Sequence, residues 1–531
     1  MESNVAQLLR IAATNEPDKI ALSEAATGRA ATWRALDEQA DSFARGLSEA
    51  GLVAGQRVLI AMPNRIEFVI AYLGTLRAGL VAVPVNPRSA TGEVLRMLLD
   101  ATARVVVADG FTIPVVRAAV AGLDEAVAAS GAGDETSWVK PRIVTTEQAL
   151  QAGEQQWEDF LRHHGEVPQA REDAESLAVL LYTSGTSGRP RGAMLSHRAL
   201  LANIEQVAAV EPQMIVGRDV VLGVLPLFHV YGLNAVLGQV IRQHARLVLV
   251  DGFDPEGALD LIQDEAVSVL PVAPAVFAHW MQTPGLDEQL QPVRLVLSGS
   301  APLSPELGAA FTERTGLQIH QGYGLTESSP VVTSTLCSRE PDGRSVGAAL
   351  PGIELRLVDE QGHQPASDDA GQIFVRGDNL FSGYWPDGAD GPDRDGWYAT
   401  GDVGFISGSG DLYLVDRVKE LVIVSGFNVY PSEVEDVIGE LSSVAEVAVI
   451  GTEDAETGEA VVAYVTAADH AATSADELAQ QVRDHCASRL ARFKQPRVIH
   501  VVDELPLTVT GKVQKGRLRA TERRRALGLL E

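Results

Sequence analysis

A run of hydroxyl groups and glycines follows an apolar stretch that begins at Leu180, and it is well suited to bind an anion. Residues 182–192 read Tyr-Thr-Ser-Gly-Thr-Ser-Gly-Arg-Pro-Arg-Gly. Glycines let the backbone turn so that several N–H groups converge on one anion, and hydroxyls add further donors. The planar cation of Arg191 matches a phosphate. The candidate phosphate-binding residues are Thr183, Ser184, Gly185, Thr186, Ser187, Gly188 and Arg191.

The loop of 182–192 is not a P-loop, because no Gly-Lys-Ser/Thr sequence follows it. A flexible surface turn would carry similar residues. The flanking sequences disfavour that alternative, since an apolar strand precedes the loop and Met194 and Leu195 follow it. We therefore predict that the loop binds phosphate.

The sequence around this loop alternates between apolar strands and amphipathic helices. Apolar residues at helical spacing start at Trp33, and a strand follows at 57–61, a helix at 67–77 and another apolar run at 80–85. This rhythm is typical of a largely parallel sheet covered by helices. The pattern weakens between residues 121 and 176, which we interpret as a surface connection with short helices.

A change of rhythm near residue 415 predicts a second, smaller domain. Pro431 opens a helix, and Ser474 and Glu477 form a capping box ahead of another helix. The sequence thus predicts an α/β fold with two parts. They are a large, multi-subdomain N-terminal body of parallel and mixed sheets, residues 1–415, and a small α+β C-terminal cap joined by a hinge, residues 416–531.

Composition excludes several classes of protein. The 531 residues are 46% hydrophobic, which is too apolar for a disordered chain. The formal net charge of −28 argues against non-specific binding of nucleic acid, because backbone phosphates need a positive face. Two isolated cysteines, Cys337 and Cys486, exclude a disulfide scaffold and indicate a reducing, cytoplasmic location.

One stretch is long and apolar enough to resemble a membrane span. Residues 220–241 contain no Asp, Glu, Lys or Arg. They do contain a proline, a histidine and two amide side chains, so we interpret them as a buried strand at 220–225, a loop and a buried helix from Gly232. We expect no transmembrane span, and contact with a membrane surface stays open.

Two charged clusters are interpreted as surface features. The aspartates at 387, 390, 393 and 395 lack the spacing of a calcium loop, which favours a solvated loop. The basic residues from Lys515 to Arg525 are interpreted as an exposed helix face rather than a site for CoA phosphates.

Further motifs follow the loop in order. Residues 321–327 read Gln-Gly-Tyr-Gly-Leu-Thr-Glu, 398–402 Tyr-Ala-Thr-Gly-Asp, 416–420 Asp-Arg-Val-Lys-Glu and 506–512 Pro-Leu-Thr-Val-Thr-Gly-Lys. Together with the loop, they resemble the signatures of the adenylate-forming (AMP-binding) superfamily, and most of all those of fatty acyl-CoA and coumarate-type CoA ligases. The resemblance covers nearly the whole chain. The family usually has lysine where this chain has Arg191.

The resemblance implies that ATP and Mg²⁺ bind at the 321–327 motif. Tyr323 offers a face for stacking on a purine, Thr326 a hydroxyl for a phosphate, and Glu327 a hard oxygen for Mg²⁺. Taken alone, this segment would be interpreted as an ordinary turn. Thr183 is implied as a second metal-binding residue. The neighbouring nucleotide-binding positions implied are Ser300, Ala301, Gln321, Gly322 and Gly324.

The resemblance also implies a cap that moves. Asp402 and Arg417 would bind the ribose, and Lys419 would be the pivot of the hinge. Gly426 would line the tunnel for the thiol-bearing arm of CoA. Lys512 would bridge the substrate carboxylate and the α-phosphate as charge builds between them. By themselves, Asp402 is typical of a turn and Lys512 of a solvated lysine.

Residues 225–234 resemble the acyl-binding segment of the CoA ligases. His229 would lie near the carboxylate or the tunnel mouth, although a core histidine bonded to backbone has the same pattern. The other candidate wall residues are small or apolar and offer no cation for a second carboxylate. They are Tyr231, Ala235, Gly299, Gly322, Pro330, Val331 and Val332.

These features predict an AMP-forming acid–thiol ligase that uses ATP, Mg²⁺ and CoA on a carboxylic acid, with a medium- or long-chain fatty acid favoured. An aryl, coumarate-like acid stays open as the substrate, as do a carrier protein as the acceptor and a non-catalytic nucleotide-binding protein. We predict no nucleic-acid partner, and a monomer or homodimer. The candidate catalytic residues are Arg191, His229, Thr326, Glu327 and Lys512.

Overall fold

A computed structural model describes most of the chain. The described residues are 2–130, 139–162, 165–168, 173–183, 190–301, 303–359, 361–365, 369–417, 420, 422–424, 427–454, 457–468, 474–490, 492–508 and 511–526. They fold into helices and strands that form a large mixed α/β body and a smaller C-terminal part, as the sequence predicts.

The described elements are numbered in chain order. The strands are β1 (Ile20–Glu24), β2 (Ala30–Thr32), β3 (Arg57–Ala61), β4 (Val81–Pro84), β5 (Val105–Ala108), β6 (Arg142–Thr145), β7 (Glu154–Gln156), β8 (Leu177–Thr183), β9 (Arg191–Ser196), β10 (Val220–Gly223), β11 (Arg246–Leu249), β12 (Val269–Val272), β13 (Leu295–Ser298), β14 (Ile319–Gly324), β15 (Val331–Ser334), β16 (Ala348–Ala349), β17 (Glu354–Val358), β18 (Gly371–Arg376), β19 (Trp397–Ile406), β20 (Leu412–Arg417), β21 (Val422–Val424), β22 (Phe427–Val429), β23 (Val444–Asp454), β24 (Gly458–Ala467) and β25 (Val498–Val501). The α-helices are α1 (Ala6–Asn15), α2 (Trp33–Glu49), α3 (Ile66–Arg77), α4 (Thr91–Ala101), α5 (Ile113–Ala121), α6 (Leu123–Ser130), α7 (Trp157–Phe160), α8 (His197–Ala208), α9 (Gln239–Gln243), α10 (Pro255–Asp264), α11 (Pro274–Trp280), α12 (Leu286–Gln289), α13 (Pro305–Thr315), α14 (Pro431–Gly439), α15 (Ala475–Arg489) and α16 (Lys515–Ala526). A π-helix, Tyr231–Gly238, leads into α9, and a 3₁₀ turn, Thr326–Ser328, follows β14.

Two largely parallel sheets form the centre of the body. One has the strand order β16-β15-β14-β13-β12-β10-β11-β1-β2, in which β1 and β10 to β14 are parallel. The other has the order β7-β6-β5-β3-β4-β8-β9, in which only the β8–β9 pair is antiparallel. Strands β4, β5 and β12 are buried along their whole length, as expected for sheets covered by helices on both faces.

The region between residues 121 and 176 is only partly the surface connection that its sequence predicts. It supplies the short helices α6 and α7, but it also supplies β6 and β7, which extend the seven-stranded sheet at one edge. These strands are four and three residues long, and β7 is entirely polar. Edge strands of this length are too short for an alternating pattern to be recognised.

The C-terminal part is built on a separate sheet. After the antiparallel β17–β20 sheet, strands β21 to β25 form a sheet packed against α14 and α15. The helix predicted at Pro431 is confirmed as α14. The capping box is confirmed as well, since Glu477 N–H donates to Ser474 Oγ at 3.3 Å and Ser474 N–H to Glu477 Oε2 at 3.0 Å. The predicted boundary after residue 415 falls inside β20.

The basic C-terminal segment is helical, as predicted, but its first residue is not exposed. Lys515 is 15% exposed and pairs with Glu420 at 3.1 Å and Glu435 at 2.8 Å. One face of α16 packs on the cap, where Leu518 is buried. The prediction of a fully exposed helix face is therefore wrong at Lys515.

The apolar stretch 220–241 is divided among three elements. Strand β10 ends at Gly223, and the π-helix and α9 follow a loop. Within the described part of the chain, no helix combines the length and the apolar character needed to cross a membrane.

A buried ion network ties together the first three helices of the body. The Arg77 side chain of α3 is 8% exposed, and its guanidinium lies 2.7 Å from each of the Asp37 and Asp41 carboxylates of α2. The same guanidinium donates to the carbonyl oxygens of Asp37 and Ala6. Arg10 reaches both carboxylates from the surface.

We predict that Arg77→Leu lowers the free energy of unfolding of the body by about 3 kcal/mol, because two buried carboxylates lose their main partner and Arg10 replaces it only in part. The matched control is Arg34→Leu. This change removes an exposed ion pair with Asp18 and should cost about 0–1 kcal/mol in the same urea titration. Equal effects of the two changes would contradict the assigned role of the network.

Candidate active site

A cavity of about 1700 Å³ lies where parallel strands of both body sheets end. Strands β8, β13 and β14 each lead into it at their carboxyl ends, which is where α/β sheets bind ligands. Most of the predicted site residues line this one cavity. They are Thr183, Arg191, His229, Tyr231, Ala235, Gly299, Ser300, Gln321, Gly322, Tyr323, Gly324, Thr326, Glu327, Pro330, Val331, Asp402 and Lys512.

A few predicted residues are not among the lining residues. Ala301 and Val332 do not line the cavity, and Val332 is fully buried in the body core. Arg417 ends β20 directly opposite Asp402 in the β19–β20 register. The loop positions 184–188, Lys419 and Gly426 lie outside the described residues.

Oxygen donors gather at one end of the cavity. Thr183 ends β8 and pairs in register with Arg191 at the start of β9, so the hairpin brings both residues to the base of the phosphate loop. Thr326 and Glu327 follow β14 in the 3₁₀ turn. Hydroxyl and carboxylate oxygens are suitable ligands for Mg²⁺, which binds one or two carboxylates together with phosphates and water. The donor set therefore fits a magnesium–nucleotide complex, although no three acidic, His or Cys side chains of the described residues form a metal site on their own.

Glu327 is held by residues that the sequence motifs do not include. The Tyr384 hydroxyl donates a hydrogen bond to Glu327 Oε1. The Arg191 guanidinium lies over the Tyr384 ring, 3.8 Å from its centroid, and pairs with Asp390 at 2.7 Å. Asp390 and its three neighbouring aspartates are exposed, as predicted for a solvated loop. Sequence reasoning missed Tyr384 because it lies in a segment without a recognised motif.

Two further motifs meet at the nucleoside end of the cavity. The Tyr323 hydroxyl donates to Asp402 Oδ2 at 2.6 Å, and both side chains are more than 90% buried. The Asp402 N–H donates to Thr400 Oγ1 at 3.1 Å. The residues predicted to bind a purine and a ribose are therefore linked directly, although 79 positions separate them in the chain.

Lys512 reaches the cavity from the C-terminal part. Its loop is closed by hydrogen bonds from Thr508 N–H to Lys512 O at 2.7 Å and from Lys512 N–H to Thr508 Oγ1 at 3.0 Å. Gly511 has φ +80°, which glycine adopts easily in such a tight turn. A Cβ atom at Gly511 would lie 3.7 Å from the Ala275 side chain, so this loop lies against the body.

His229 is a neutral histidine at the cavity wall. Burial lowers its pKa to about 4, and the positive charge of Lys512 contributes in the same direction. Its Nδ1 atom accepts the Tyr231 N–H at 3.3 Å, so the neutral ring carries its proton on Nε2. The sequence left two interpretations of His229, a histidine bonded to backbone and a histidine of the site. Both apply, because one ring nitrogen accepts a backbone N–H and the ring lines the cavity.

An apolar branch of the cavity follows the helix after His229. We define it by the wall residues Val207, Met214, Ile215, Tyr231, Ala235, Val236, Gln239, Gly299, Pro330 and Val331. None of these described residues is charged. The predicted helix is present, but Tyr231–Gly238 is a π-helix instead of an α-helix. Such wide turns occur frequently at functional sites.

Side-chain hydrogen bonds fix this helix against α8 and the loop before β15. The Asn234 amide donates to the carbonyl oxygens of Leu200 at 3.1 Å and Ser329 at 2.7 Å. At the far end, Gln239 Nε2 donates to Ile204 O. The residues at this end, including Met214 and Ile215, carry no sequence signal, because they are apolar residues like those of any core.

The wall opposite the π-helix requires glycine. A Cβ atom at Gly299 would lie 2.9 Å from the Tyr231 ring, which is closer than a carbon atom can approach. The next residue, Ser300, has φ +73°, which is strained for any residue with a side chain and is typical of functional sites.

Comparison with known proteins agrees with this geometry. A family model described as "AMP-binding enzyme" matches residues 9–385, and one described as "AMP-binding enzyme C-terminal domain" matches residues 433–512. The chain is 34% identical to 4-coumarate–CoA ligase-like 9 of Oryza sativa subsp. japonica, over 94% of this chain and 90% of the relative. It is 32% identical to the long-chain-fatty-acid–CoA ligase of Bacillus subtilis (strain 168), over 96% of this chain and 93% of the relative.

Among solved structures, the chain is similar to MatB from Rhodopseudomonas palustris in two states. The TM-score is 0.87 with the ATP-bound structure, at 31% identity, and 0.73 with the apo structure, at 32% identity. Each comparison covers 98% of this chain and 99% of the other. The family model spans well over half of the residues, and the motifs it rests on meet in one cavity. The chain therefore belongs to the AMP-binding, adenylate-forming family of enzymes.

Proposed function

We propose that this protein is an ATP-dependent carboxylate–CoA ligase, which forms an acyl-AMP and then an acyl-CoA from a medium- or long-chain fatty acid. The observation that carries the proposal is the composition of the large cavity at the ends of the body strands. It combines phosphate-binding and metal-binding donors at one end, a nucleoside pair in Tyr323 and Asp402, and an apolar branch beside His229.

In the first half of the reaction, a carboxylate oxygen of the acid attacks the α-phosphorus of ATP, and the bond to pyrophosphate breaks. Negative charge builds on the phosphate oxygens as this happens. We propose that Arg191 and Lys512 stabilise that charge, and that Glu327 with the Thr326 and Thr183 hydroxyls would hold Mg²⁺. Mg²⁺ held there would offset the charge of the phosphates, and the neutral His229 would donate a hydrogen bond from its Nε2–H to the carboxylate of the acid, keeping its proton.

In the second half, the thiol of CoA attacks the acyl carbon, and AMP leaves. We propose that the cap, from residue 416 onward, turns about Lys419 for this step and that Gly426 then lines the passage for the thiol. The greater similarity to the ATP-bound state of MatB than to its apo state supports assigning the present cap arrangement to the first half.

The apolar branch supports a fatty acid as the substrate. Its wall residues have no charge to pair with a second carboxylate, and an unpaired buried carboxylate is unfavourable by several kcal/mol. The helical wall of the branch runs from Tyr231 to Gln239, which is eight residue steps. At 1.5 Å per residue, this wall is at most about 12 Å long. A relative named for long-chain fatty acids supports the same substrate.

An aryl acid is the second candidate substrate. The Tyr231 ring lies against Gly299 and forms a flat wall, which suits an aromatic acid as well as an alkyl chain. The coumarate-type relative supports this alternative.

We propose a reducing, cytoplasmic location for the enzyme, because Cys337 and Cys486 are both unpaired.

We predict that Lys512→Ala lowers the rate of ATP–pyrophosphate exchange by about 100- to 1000-fold, because one cation at the transition state is lost. Thioester formation from supplied acyl-AMP should stay within a few-fold of the wild type. The matched control is Lys140→Ala, which removes an exposed lysine of the body that does not line the cavity. Equal loss of both half-reactions in the Lys512 variant would contradict its role.

We predict that His229→Leu lowers the exchange rate by about 10- to 100-fold, because leucine has no donor and the hydrogen bond to a charged group is lost. Because the pKa of His229 is about 4, the imidazole stays neutral from about pH 8 to pH 5. The ratio of wild-type to variant rates should therefore be constant over that range. A ratio that changes around pH 6.5 would show that His229 titrates like an exposed histidine and would refute the assignment.

We predict that a panel of acids, followed by AMP release with ATP, Mg²⁺ and CoA, gives the highest kcat/KM with a medium- or long-chain fatty acid. The dicarboxylic acid of equal length should be poorer by more than about 100-fold, because its second carboxylate would be buried without a partner. A coumarate-like acid at the top of the panel would favour the aryl alternative. Acylation of a carrier protein without turnover of free CoA would overturn CoA as the acceptor.

A further inference from the structure

A cluster of aromatic side chains lies between the candidate metal ligand and the ribose-binding motif. Phe381 packs edge-on against Tyr384 and Tyr398, with ring centroids 5.1 and 5.0 Å away. The Tyr384 hydroxyl donates to Glu327 Oε1, and the Tyr398 ring packs against Phe381 in the same cluster. The cluster therefore ends on the carboxylate that would hold Mg²⁺.

The backbone around Tyr384 is fixed on both sides. Tyr384 N–H donates to Ala389 O at 2.9 Å, and Trp385 N–H donates to Gly192 O, next to Arg191, at 2.8 Å. Phe381 N–H donates to the carbonyl oxygen of Glu327 itself at 2.9 Å. The same short segment thus holds both the backbone and the side chain of Glu327.

Arg191 completes the arrangement from the other side of the ring. Its guanidinium stacks on Tyr384, at 3.8 Å from the centroid, and Asp390 holds it there by an ion pair at 2.7 Å. A planar guanidinium can lie flat on an aromatic face while its N–H groups bond a carboxylate, whereas the compact ammonium of a lysine cannot do both. Arg191, at the position where the family usually has lysine, therefore makes two contacts that a lysine could not make together.

We propose that Tyr384 is a positioning residue that orients the Glu327 carboxylate toward Mg²⁺, and that Arg191 acts on the metal site through Tyr384. The Tyr384 hydroxyl donates its hydrogen bond to Oε1 of Glu327. Oε2 of Glu327 has no hydrogen-bond partner among the described residues, so this oxygen is available to a metal ion. The inference rests on the proposed function, in which Glu327 holds Mg²⁺.

The test measures metal-dependent ATP binding and not turnover. ATP binding is followed by calorimetry at increasing Mg²⁺ concentrations, and the midpoint of the Mg²⁺ dependence is compared between variants. Tyr384→Phe keeps the ring, its packing on Phe381 and its stacking on Arg191, and removes only the hydroxyl. We expect the midpoint to rise by about 10- to 100-fold, the usual effect of losing a hydrogen bond to a metal ligand, while ATP binding without Mg²⁺ stays unchanged.

Tyr398→Phe is the matched control, because it removes a hydroxyl from the same aromatic cluster that does not bond the Glu327 carboxylate. Its midpoint should rise less than that of Tyr384→Phe. Arg191→Lys keeps the charge and loses the flat stack, so its midpoint should also rise. In the double variant, Arg191→Lys should add nothing to Tyr384→Phe, because the arginine acts through the hydroxyl that is already missing.

The variant Glu327→Gln tests the proposed metal site separately from the positioning role of Tyr384. If Glu327→Gln raises the midpoint and Tyr384→Phe leaves it unchanged, the positioning role of Tyr384 is overturned while the metal site stands. Additive effects of Arg191→Lys and Tyr384→Phe would overturn the coupling of Arg191 to the metal through Tyr384. An unchanged midpoint in Glu327→Gln would overturn the proposed metal site itself.

Discussion

The parallel pairing of strands is the constraint on which the whole site depends. Parallel strands point their carboxyl ends to the same edge of a sheet, so residues far apart in sequence are brought together where the strands end. Strand β8 delivers Thr183, β13 delivers the glycine and strained serine that follow it, and β14 delivers the turn that carries Glu327. The backbone pairing of the strands therefore sets the positions of all these residues along one edge.

Cations at this edge of the sheets explain how a strongly acidic protein can bind an anionic ligand. The chain carries a net charge of −28, yet its cavity contains Arg191 and Lys512 and a histidine kept neutral by burial. Local cations decide the potential felt by a bound phosphate, because charges beyond a Debye length of about 8–10 Å are largely screened. Arg191 comes from the body and Lys512 from the C-terminal part, so cations from both parts of the chain line the cavity.

The sequence predicts the site better than it predicts the walls around it. Glu327 and Asp402 were identified through the resemblance of their motifs to those of a known family, since each taken alone would be interpreted as part of an ordinary turn. The walls are different. Met214 and Ile215 are ordinary apolar residues, and only the fold shows that they face a cavity. Tyr384 was missed for a related reason, since a single tyrosine gives no sign of which carboxylate its hydroxyl will bond.

Some elements escaped prediction because short-range rules do not determine them. The strands β6 and β7 are too short to show a period and exist because the edge of the sheet accepts them. The π-helix at Tyr231–Gly238 has the apolar composition of an α-helix, and its wider turns coincide with side-chain hydrogen bonds from Asn234 to the neighbouring α8 and to Ser329. The composition of the segment therefore does not distinguish the two helix types.

The π-helix has a consequence for how the acyl branch of such an enzyme can change during evolution. A π-turn holds more residues than an α-turn, so the loss of one residue from this segment would let it close into an ordinary α-helix. The segment beyond the deletion would keep nearly its present orientation, because the residue lost is the one that the wider turn accommodates. The change would then be confined to the wall near Ala235. Single-residue deletions and insertions in this segment are thus a direct route by which the wall can change shape while the rest of the helix stays in place.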